Sequence, residues 1–456
     1  MPDSTRFTRR SFIGMSAAAG LSIPLLAACG SGSDSGSGAK AQKPSNDPVD
    51  VMGLTASDEV GTSRFDYAKK QSPKLKLKLD KNGFDQQKFA TAIGGGSSPA
   101  GVYLDRQLIA TYAEKGFLIP LDDYIDSLGI DMSQFYDQAV QEATYKGHVY
   151  GIPDFYTTRA IFGNNRALTG AGLSISDIDT SDWDKLAQQT KAMYKSSGGK
   201  PTTIGFDPKL PEYLPLWVLA NGGSIIDSDG KPALDDSKVV EALTYTAGLI
   251  ADQGGWANYK SFRDTWDFFG EGNEFTKNQI GAMPYEQWYI NVLAPYQSKI
   301  DVSATQFKAR DGKPLTFASG AAFAITKGSP NPGGMAQFMK DVTSKEAWAA
   351  AAKARNAVVQ KDHSIYTGIS SANKPANDAA EKLYMKPGKN KEFDEIIAVF
   401  NDSLDNAKTI QTSPAGQDIA AAFQQAVTDT LGGKDPKSAL SSAQSRAMSA
   451  YTDATG

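Results

Sequence analysis

Cysteine and histidine are almost missing from this 456-residue chain, which has one cysteine, Cys29, and two histidines, His148 and His363. A single cysteine excludes any intramolecular disulfide and leaves one thiol to be accounted for. So few Cys and His side chains exclude the usual transition-metal sites, and no metal or cofactor is expected. Patterns of the His-Glu-x-x-His, Gly-x-Ser-x-Gly and phosphate-loop kinds are absent, so no catalytic residues are assigned. His148 falls in an expected hairpin, Tyr145–Tyr150, where a surface or packing role suits it better than catalysis. Asp227-Ser228-Asp229-Gly230 lacks the remaining ligands and the terminal Glu of a calcium loop. It reads instead as a hairpin turn with glycine at the positive-φ position. Positive charge is not in excess either: the formal net charge is −4, without the basic surface that a nucleic-acid partner requires. Past the first thirty residues no apolar run is long enough to cross a bilayer, and there is no internal repeat of fixed period.

The first thirty residues set the compartment. Thr8-Arg9-Arg10-Ser11-Phe12-Ile13 places paired arginines before an apolar stretch that runs to about Ala28. Gly14, Gly20 and Pro24 interrupt that stretch, which is also near the lower limit of about 17 residues for a membrane span. A basic start, a modest apolar run and small residues before a cleavage point define a secretory signal. The arginine pair resembles a twin-arginine export signal, and Leu26-Ala27-Ala28-Cys29 resembles a bacterial lipobox. The resemblance implies a signal peptide over 1–28 and lipid attachment to Cys29. Such a chain is anchored to the membrane rather than spanning it, on the extracytoplasmic face. Residues 29–48 follow as a Gly/Ser-rich tether, with a reach on the order of 25 Å for about 20 residues.

About 400 residues remain, enough for two domains. Val49–Leu54 reads as a strand, Ser63–Gln71 as a helix, and Leu75-Lys76-Leu77-Lys78-Leu79 alternates at strand period. Phe84–Ile93 and Gln107–Glu114 read as helices on either side of a short strand, Gly101–Asp105. Strands alternating with helices predict an α/β fold with a mostly parallel sheet. Ligands of such sheets sit outside the carboxyl ends of the strands, where Asp58, Asp105 and Arg106 fall.

Tyr112-Ala113-Glu114-Lys115-Gly116-Phe117-Leu118-Ile119-Pro120-Leu121-Asp122-Asp123-Tyr124-Ile125 is similar to a stretch common in family 1 extracellular solute-binding proteins of ABC transporters. So is Tyr145–Pro153. Leu216-Trp217-Val218-Leu219-Ala220-Asn221-Gly222-Gly223, Asp229–Leu234 and Phe275–Met283 resemble later landmarks of that family, in the same order. Two places depart from it. Pro284-Tyr285-Glu286-Gln287-Trp288 is one residue short and lacks a glycine before the tryptophan, and Gly163-Asn164-Asn165 replaces the usual Tyr-Asn-Lys. The resemblance implies a two-lobed, type II periplasmic-binding-protein-like fold with the ligand cleft between lobes. Lobe 1 is expected over 50–155 plus 320–358, and lobe 2 over 156–319 plus 359–453. Crossings are expected near Asp154–Ala160, Thr316–Gly320 and Ala357–Asp362, with Pro153 and Gly320 as hinge candidates. The implied partners are a small solute, most simply a sugar or oligosaccharide, and ABC permease subunits. The protein is expected to act as a monomer.

A sugar site needs polar groups for the hydroxyls and aromatic faces for the C–H surfaces. Candidates are Asp58, Asp105 and Arg106 at strand ends, and Tyr156, Thr157 and Arg159 after the first crossing. Glu212, Tyr213 and Trp217 form a proline-interrupted aromatic cluster. Trp266 lies in a polar-aromatic loop, and Glu286 and Trp288 follow the Ala282-Met283 strand. Two alternatives stay open. A glycoside hydrolase needs only two suitably spaced carboxylates, and the chain has 51 acidic residues. A surface binding protein with no transport role is the other.

Overall fold

The computed structural model describes residues 40–362, 364–386, 388 and 390–456. The signal peptide, Cys29 and His363 lie outside the described residues.

Two five-stranded sheets organise two lobes. The first runs, in spatial order, Lys76–Gly83, Pro48–Gly53, Gly101–Asp105, Ala321–Ile325, Ile152–Pro153. Its first three strands are parallel, and Ala321–Ile325 lies antiparallel to both neighbours. The second runs Val302–Thr305, Arg159–Asn164, Ile280–Glu286, Lys200–Phe206, Lys195–Ser197. Only Ile280–Glu286 and Lys200–Phe206 pair in parallel there. The α/β class stands, but the sheets are mixed rather than mostly parallel. Ala321–Ile325 enters the first sheet from the other lobe, and so arrives from the opposite end.

Burial follows the composition of each strand. Arg159–Asn164 and Ala321–Ile325 are buried at every residue, because elements cover both faces. At the sheet edge, Lys76 and Lys78 are exposed while Leu75 and Leu77 pack inward. Lysines on an edge strand discourage pairing with another chain. Aspartates cap helix after helix: Asp58, Asp85, Asp182, Asp236 and Asp435 each accept a backbone N–H of the first turn. The expected hairpin at His148 is present, with Thr144–Tyr145 paired to His148–Val149, and the imidazole meets Asp122 at 3.1 Å on the surface. Gly230 has φ +80 in the turn at Asp227, whose Oδ1 accepts from the N–H groups of Asp229 and Lys231 at 2.9 Å.

Each lobe has its own core. Lobe 2 packs Phe162, Phe206, Trp217, Ile280, Met283 and Phe307 into one cluster, joined by residues of the C-terminal helices Gly416–Leu431 and Pro436–Thr455. Lobe 1 has a cluster around Val51, Phe323 and Phe338, and smaller ones under Phe89 and Trp348. One of its buried ion pairs joins Arg64 to Asp154, with the guanidinium 3.7 Å over the Trp348 ring. Among the described residues, no helix is long and apolar enough to cross a membrane.

The lobes meet along the crossing segments. Pro153 ends a lobe 1 strand and Arg159 begins a lobe 2 strand. Between them Thr157 bridges Ser319 and Phe155 bridges Ser371. Thr316–Phe317 pairs with Ala407–Lys408. Gly320 is required there by close approach. A Cβ at that position would lie 1.8 Å from the Phe155 carbonyl oxygen. The expected third crossing at Ala357–Asp362 is corrected: Lys345–Asp362 is one continuous helix. It packs on Glu59–Gln71 of lobe 1, and Val359, Ile369, Ala376 and Ala380 share its cluster. The chain therefore stays with lobe 1 through Lys374–Tyr384 and reaches lobe 2 at Lys391–Ser403, which packs on Val302–Thr305. Nothing in the alanine-rich run before Asp362 breaks a helix, so the crossing waits for the stretch after Tyr384.

Candidate ligand cleft

The lobe 2 wall grows from two neighbouring strands. Glu286 ends Ile280–Glu286, and its register partner on the antiparallel neighbour is Arg159. Facing residues of a pair share one side of a sheet, and here the Arg159 Nη2 donates to Glu286 Oε1. Arg159 also donates to the Phe317 carbonyl at 2.8 Å and to Ser319 Oγ at 2.9 Å, tying the wall to the second crossing. The other Glu286 oxygen accepts from the Trp288 indole N–H, which fixes the indole plane. Around that plane lie Tyr285, edge-on at 5.5 Å, and Phe269, parallel within 11° at 6.1 Å. Phe268 packs on Tyr285 and Tyr289, at 5.0 and 4.6 Å. Tyr213 lies 5.7 Å from Tyr285. Phe269 is 49% exposed and Trp288 only partly buried, so aromatic faces remain open to solvent. Exposed aromatics in contact with a charge-paired carboxylate make an amphipathic surface of the kind a polyhydroxylated ring can lie on.

Lobe 1 contributes Asp105, at the end of Gly101–Asp105. Water reaches this side chain, yet protein crowds it: burial raises its pKa, followed in size by the effects of Arg106, Glu142, Glu286 and Arg159. Glu286 and Arg159 of the lobe 2 wall are near enough to act on it electrostatically.

The structure thus brings together Asp105, Arg159, Tyr213, Glu286 and Trp288 of the sequence candidates. Glu212, beside Tyr213, is exposed and acts electrostatically on Tyr285 and Lys209. The other candidates fall elsewhere, for identifiable reasons. Trp217 is 0% exposed, edge-on to Phe307 at 4.9 Å, with its indole N–H donated to the Pro208 carbonyl at 3.1 Å. It is a core residue, because its helix, Leu214–Ala220, buries Leu216, Trp217 and Val218 together. Arg106 is also fully buried, bound to Glu142 at 2.8 Å and donating to the carbonyl of Phe155. It braces the first crossing from beneath. Asp58 caps its helix, accepting from Gly61 N at 2.7 Å, and meets Arg355 at 3.7 Å. Trp266 packs edge-on to Phe262 at 6.0 Å with its N–H sealed from solvent.

Tyr156 and Thr157 are buried within the crossing itself. Tyr156 stacks on Tyr136 at 4.3 Å and borders a hollow of about 10 Å³ shared with Gln287 and Ser370. That is room for about one water. A larger hollow, about 840 Å³, lies away from this wall, among Tyr366, Tyr384, Met385 and Ile397 between three helices. Among its described lining residues, which include Lys386 and Asp394, there is no ion pair like that at Glu286.

Sequence reasoning missed Lys209, Phe268, Phe269 and Tyr285 as wall residues. Phe268 and Phe269 lay in a run already singled out for Trp266, and the wrong aromatic was chosen from it. Lys209 had a signal in Asp207-Pro208-Lys209-Leu210-Pro211, a proline-framed turn leading to the Tyr213 cluster.

Two α/β lobes joined by crossing segments, with an amphipathic wall electrostatically coupled to a strand-end carboxylate, define a two-lobed solute-binding protein. The chain belongs to the bacterial extracellular solute-binding protein family, whose sequence profile matches residues 64–381. A relative is the arabinooligosaccharide-binding protein of Halalkalibacterium halodurans, 22% identical over 182 residues. That alignment covers 38% of this chain and 37% of the relative. Among solved structures, mannobiose-bound CpMnBP1 superposes with a TM-score of 0.70 at 23% identity, covering 88% of this chain and 100% of that one. UgpB of Mycobacterium tuberculosis, bound to glycerophosphocholine, gives 0.67 at 19% identity, covering 90% and 100%. These likenesses fix the fold.

Proposed function

We propose that this protein captures a sugar or oligosaccharide outside the cell and delivers it to the permease of an ABC importer, without altering it. The observation that carries the reading is the open aromatic group of Trp288, Phe269 and Tyr285 beside the Glu286–Arg159 pair. A pyranose presents C–H faces to the rings and hydroxyls to the charged groups. The ligand would lie between this wall and Asp105, and closing the lobes about the crossings would exclude water from both. The sugar-bound relatives and neighbours support the ligand class, while the glycerophosphocholine-bound neighbour marks how far the same fold can range. In this reading the exported chain is a monomer held on the extracytoplasmic face by lipid on Cys29, and its tether leaves it free to meet the permease.

The test is a thermal-shift and calorimetric screen of neutral mono- and oligosaccharides, followed by chromatography of the recovered ligand. Ligand at 100 times its Kd should add about 2.7 kcal/mol of stability. A bound sugar recovered intact is the expected result. Release of cleaved product would favour a glycoside hydrolase instead, and the absence of binding to any sugar would end the sugar reading.

A further inference from the structure

Lys209 is a cation with nothing assigned to it. The residue is 6% exposed. Among the described residues its ammonium has no hydrogen-bond or ion-pair partner, whereas neighbouring Arg263 meets Asp207 at 3.3 Å. Instead the ammonium lies 4.5 Å from the Tyr285 ring centre and 5.1 Å from that of Phe268. Close by, Asp207 Oδ2, Tyr259 Oη and Glu274 Oε2 are sealed from solvent; the ammonium is not. Burying most of a lysine without a directly paired counter-ion is costly: burial lowers its pKa, helped by Arg263 and opposed only in part by the carboxylates of Asp207, Glu212 and Glu274. The backbone is unusual as well: Lys209 has φ +59, a conformation uncommon for a side-chain-bearing residue. The Lys209 N–H donates to Asp207 Oδ1 at 2.7 Å, and its carbonyl accepts from Tyr213 N at 2.8 Å. A costly charge held in a costly conformation against the aromatic wall points to a role at that wall.

We infer that Lys209 is a ligand-reading residue of this cleft, donating to hydroxyl oxygens of a neutral sugar seated over Tyr285 and Phe268, and that the site discriminates against sugar acids and sugar phosphates. The inference rests on the sugar-binding reading. An ammonium only donates and a carboxylate only accepts, whereas a hydroxyl does both. Arg159 is already paired with Glu286, and Arg263 with Asp207. What remains without an ion-pair partner near the wall is one ammonium, Lys209, and two exposed carboxylates, Asp105 and Glu212, Glu274 being unpaired too but fully buried. Vicinal hydroxyls can accept from the first and donate to the second. An anionic ligand would gain one cation and meet two like charges, a repulsive element that sharpens specificity.

The experiment titrates the full-length mature protein calorimetrically with mannobiose, maltose and arabinotriose, and with digalacturonic acid and glucose 6-phosphate. Lys209→Asn is the variant, since asparagine tolerates the left-handed backbone while losing the ammonium. The expected result is neutral-sugar binding by the wild type, weakened about tenfold or more in Lys209→Asn, with little change in ligand-free melting temperature. Unchanged affinity in the variant would overturn the role of Lys209 and leave the sugar reading intact. Tighter binding of either anion than of any neutral sugar would overturn the charge argument. Failure of the wild type to bind any of the five would overturn the sugar reading, and this inference with it. If the variant does not fold, acetic anhydride labelling of wild-type protein decides. A bound neutral sugar should protect Lys209 from acetylation, and equal labelling with and without it would refute the assignment.

Discussion

Replacing Glu274 by glutamine removes a carboxyl that lobe 2 buries completely. One of its oxygens accepts from the Tyr289 hydroxyl at 2.8 Å, and the other is sealed without a partner. Burial pushes its pKa up to about 7 from an ordinary 4.5, against the opposing pull of Lys209. Between those two values the folded chain holds a proton that the unfolded chain has lost. Stability from this group is therefore greatest in acid and falls as pH rises through the window, with the loss complete above about pH 7. The gap between the values corresponds to about 3 kcal/mol. Urea unfolding at a series of pH values from about 5 to about 8 should show the wild type losing about 2–3 kcal/mol relative to Glu274→Gln. Titrating groups that do not sense Glu274 contribute equally to both proteins and cancel in the difference. Parallel pH profiles for the two would refute the reasoning, because the carboxyl would then titrate no differently folded than unfolded.

Two tryptophans should behave in opposite ways. Trp217→Ala removes a fully buried ring and should cost about 3–5 kcal/mol of lobe 2 stability, whereas Trp288→Ala should cost about 2–4 kcal/mol of ligand binding while melting close to wild type; calorimetry and thermal unfolding separate the two. Asp154→Ala leaves Arg64 buried without its partner and should destabilise lobe 1 by about 3–5 kcal/mol in chemical denaturation. Cys29→Ser should shift the protein out of the membrane fraction or block its maturation, visible on fractionation and immunoblotting, and an unchanged membrane fraction would contradict the lipid anchor.

The fold was legible because it is written in local pattern. The Leu75–Leu79 alternation, the Gly101–Asp105 strand and the hairpin at His148 all follow from period and turn chemistry within a few residues. Sheet direction was not legible in the same way. Ala321–Ile325 reads as a buried strand from its residues alone, but its antiparallel entry depends on where the chain returns from the other lobe. The third crossing failed for a related reason: the end of Lys345–Asp362 looked like a boundary, whereas packing of Val359, Ala376 and Ala380 carries lobe 1 further. Of the wall, Arg159, Glu286 and Trp288 could be found because strand ends and Ala282-Met283 mark them. Trp217 could not be told from a platform by sequence, since the same apolar helix serves either role. Arg106 sits beside a true edge residue, Asp105, and one step along the backbone turns its side chain inward. The proline-framed turn at Lys209 was visible in the sequence, but the lack of an ion-pair partner for its ammonium shows only in the assembled lobe.

In the proposed binding mode, ligand is held between Asp105 of lobe 1 and the Trp288–Glu286–Arg159 wall of lobe 2. A crystal structure of the protein with the tightest-binding sugar from the screen tests it most directly. A sugar ring is expected against the Trp288 and Tyr285 faces, with hydroxyls bonded to Asp105 and Lys209. A sugar found instead in the hollow lined by Tyr366, Tyr384 and Ile397, with the Trp288 faces left bare, would contradict it.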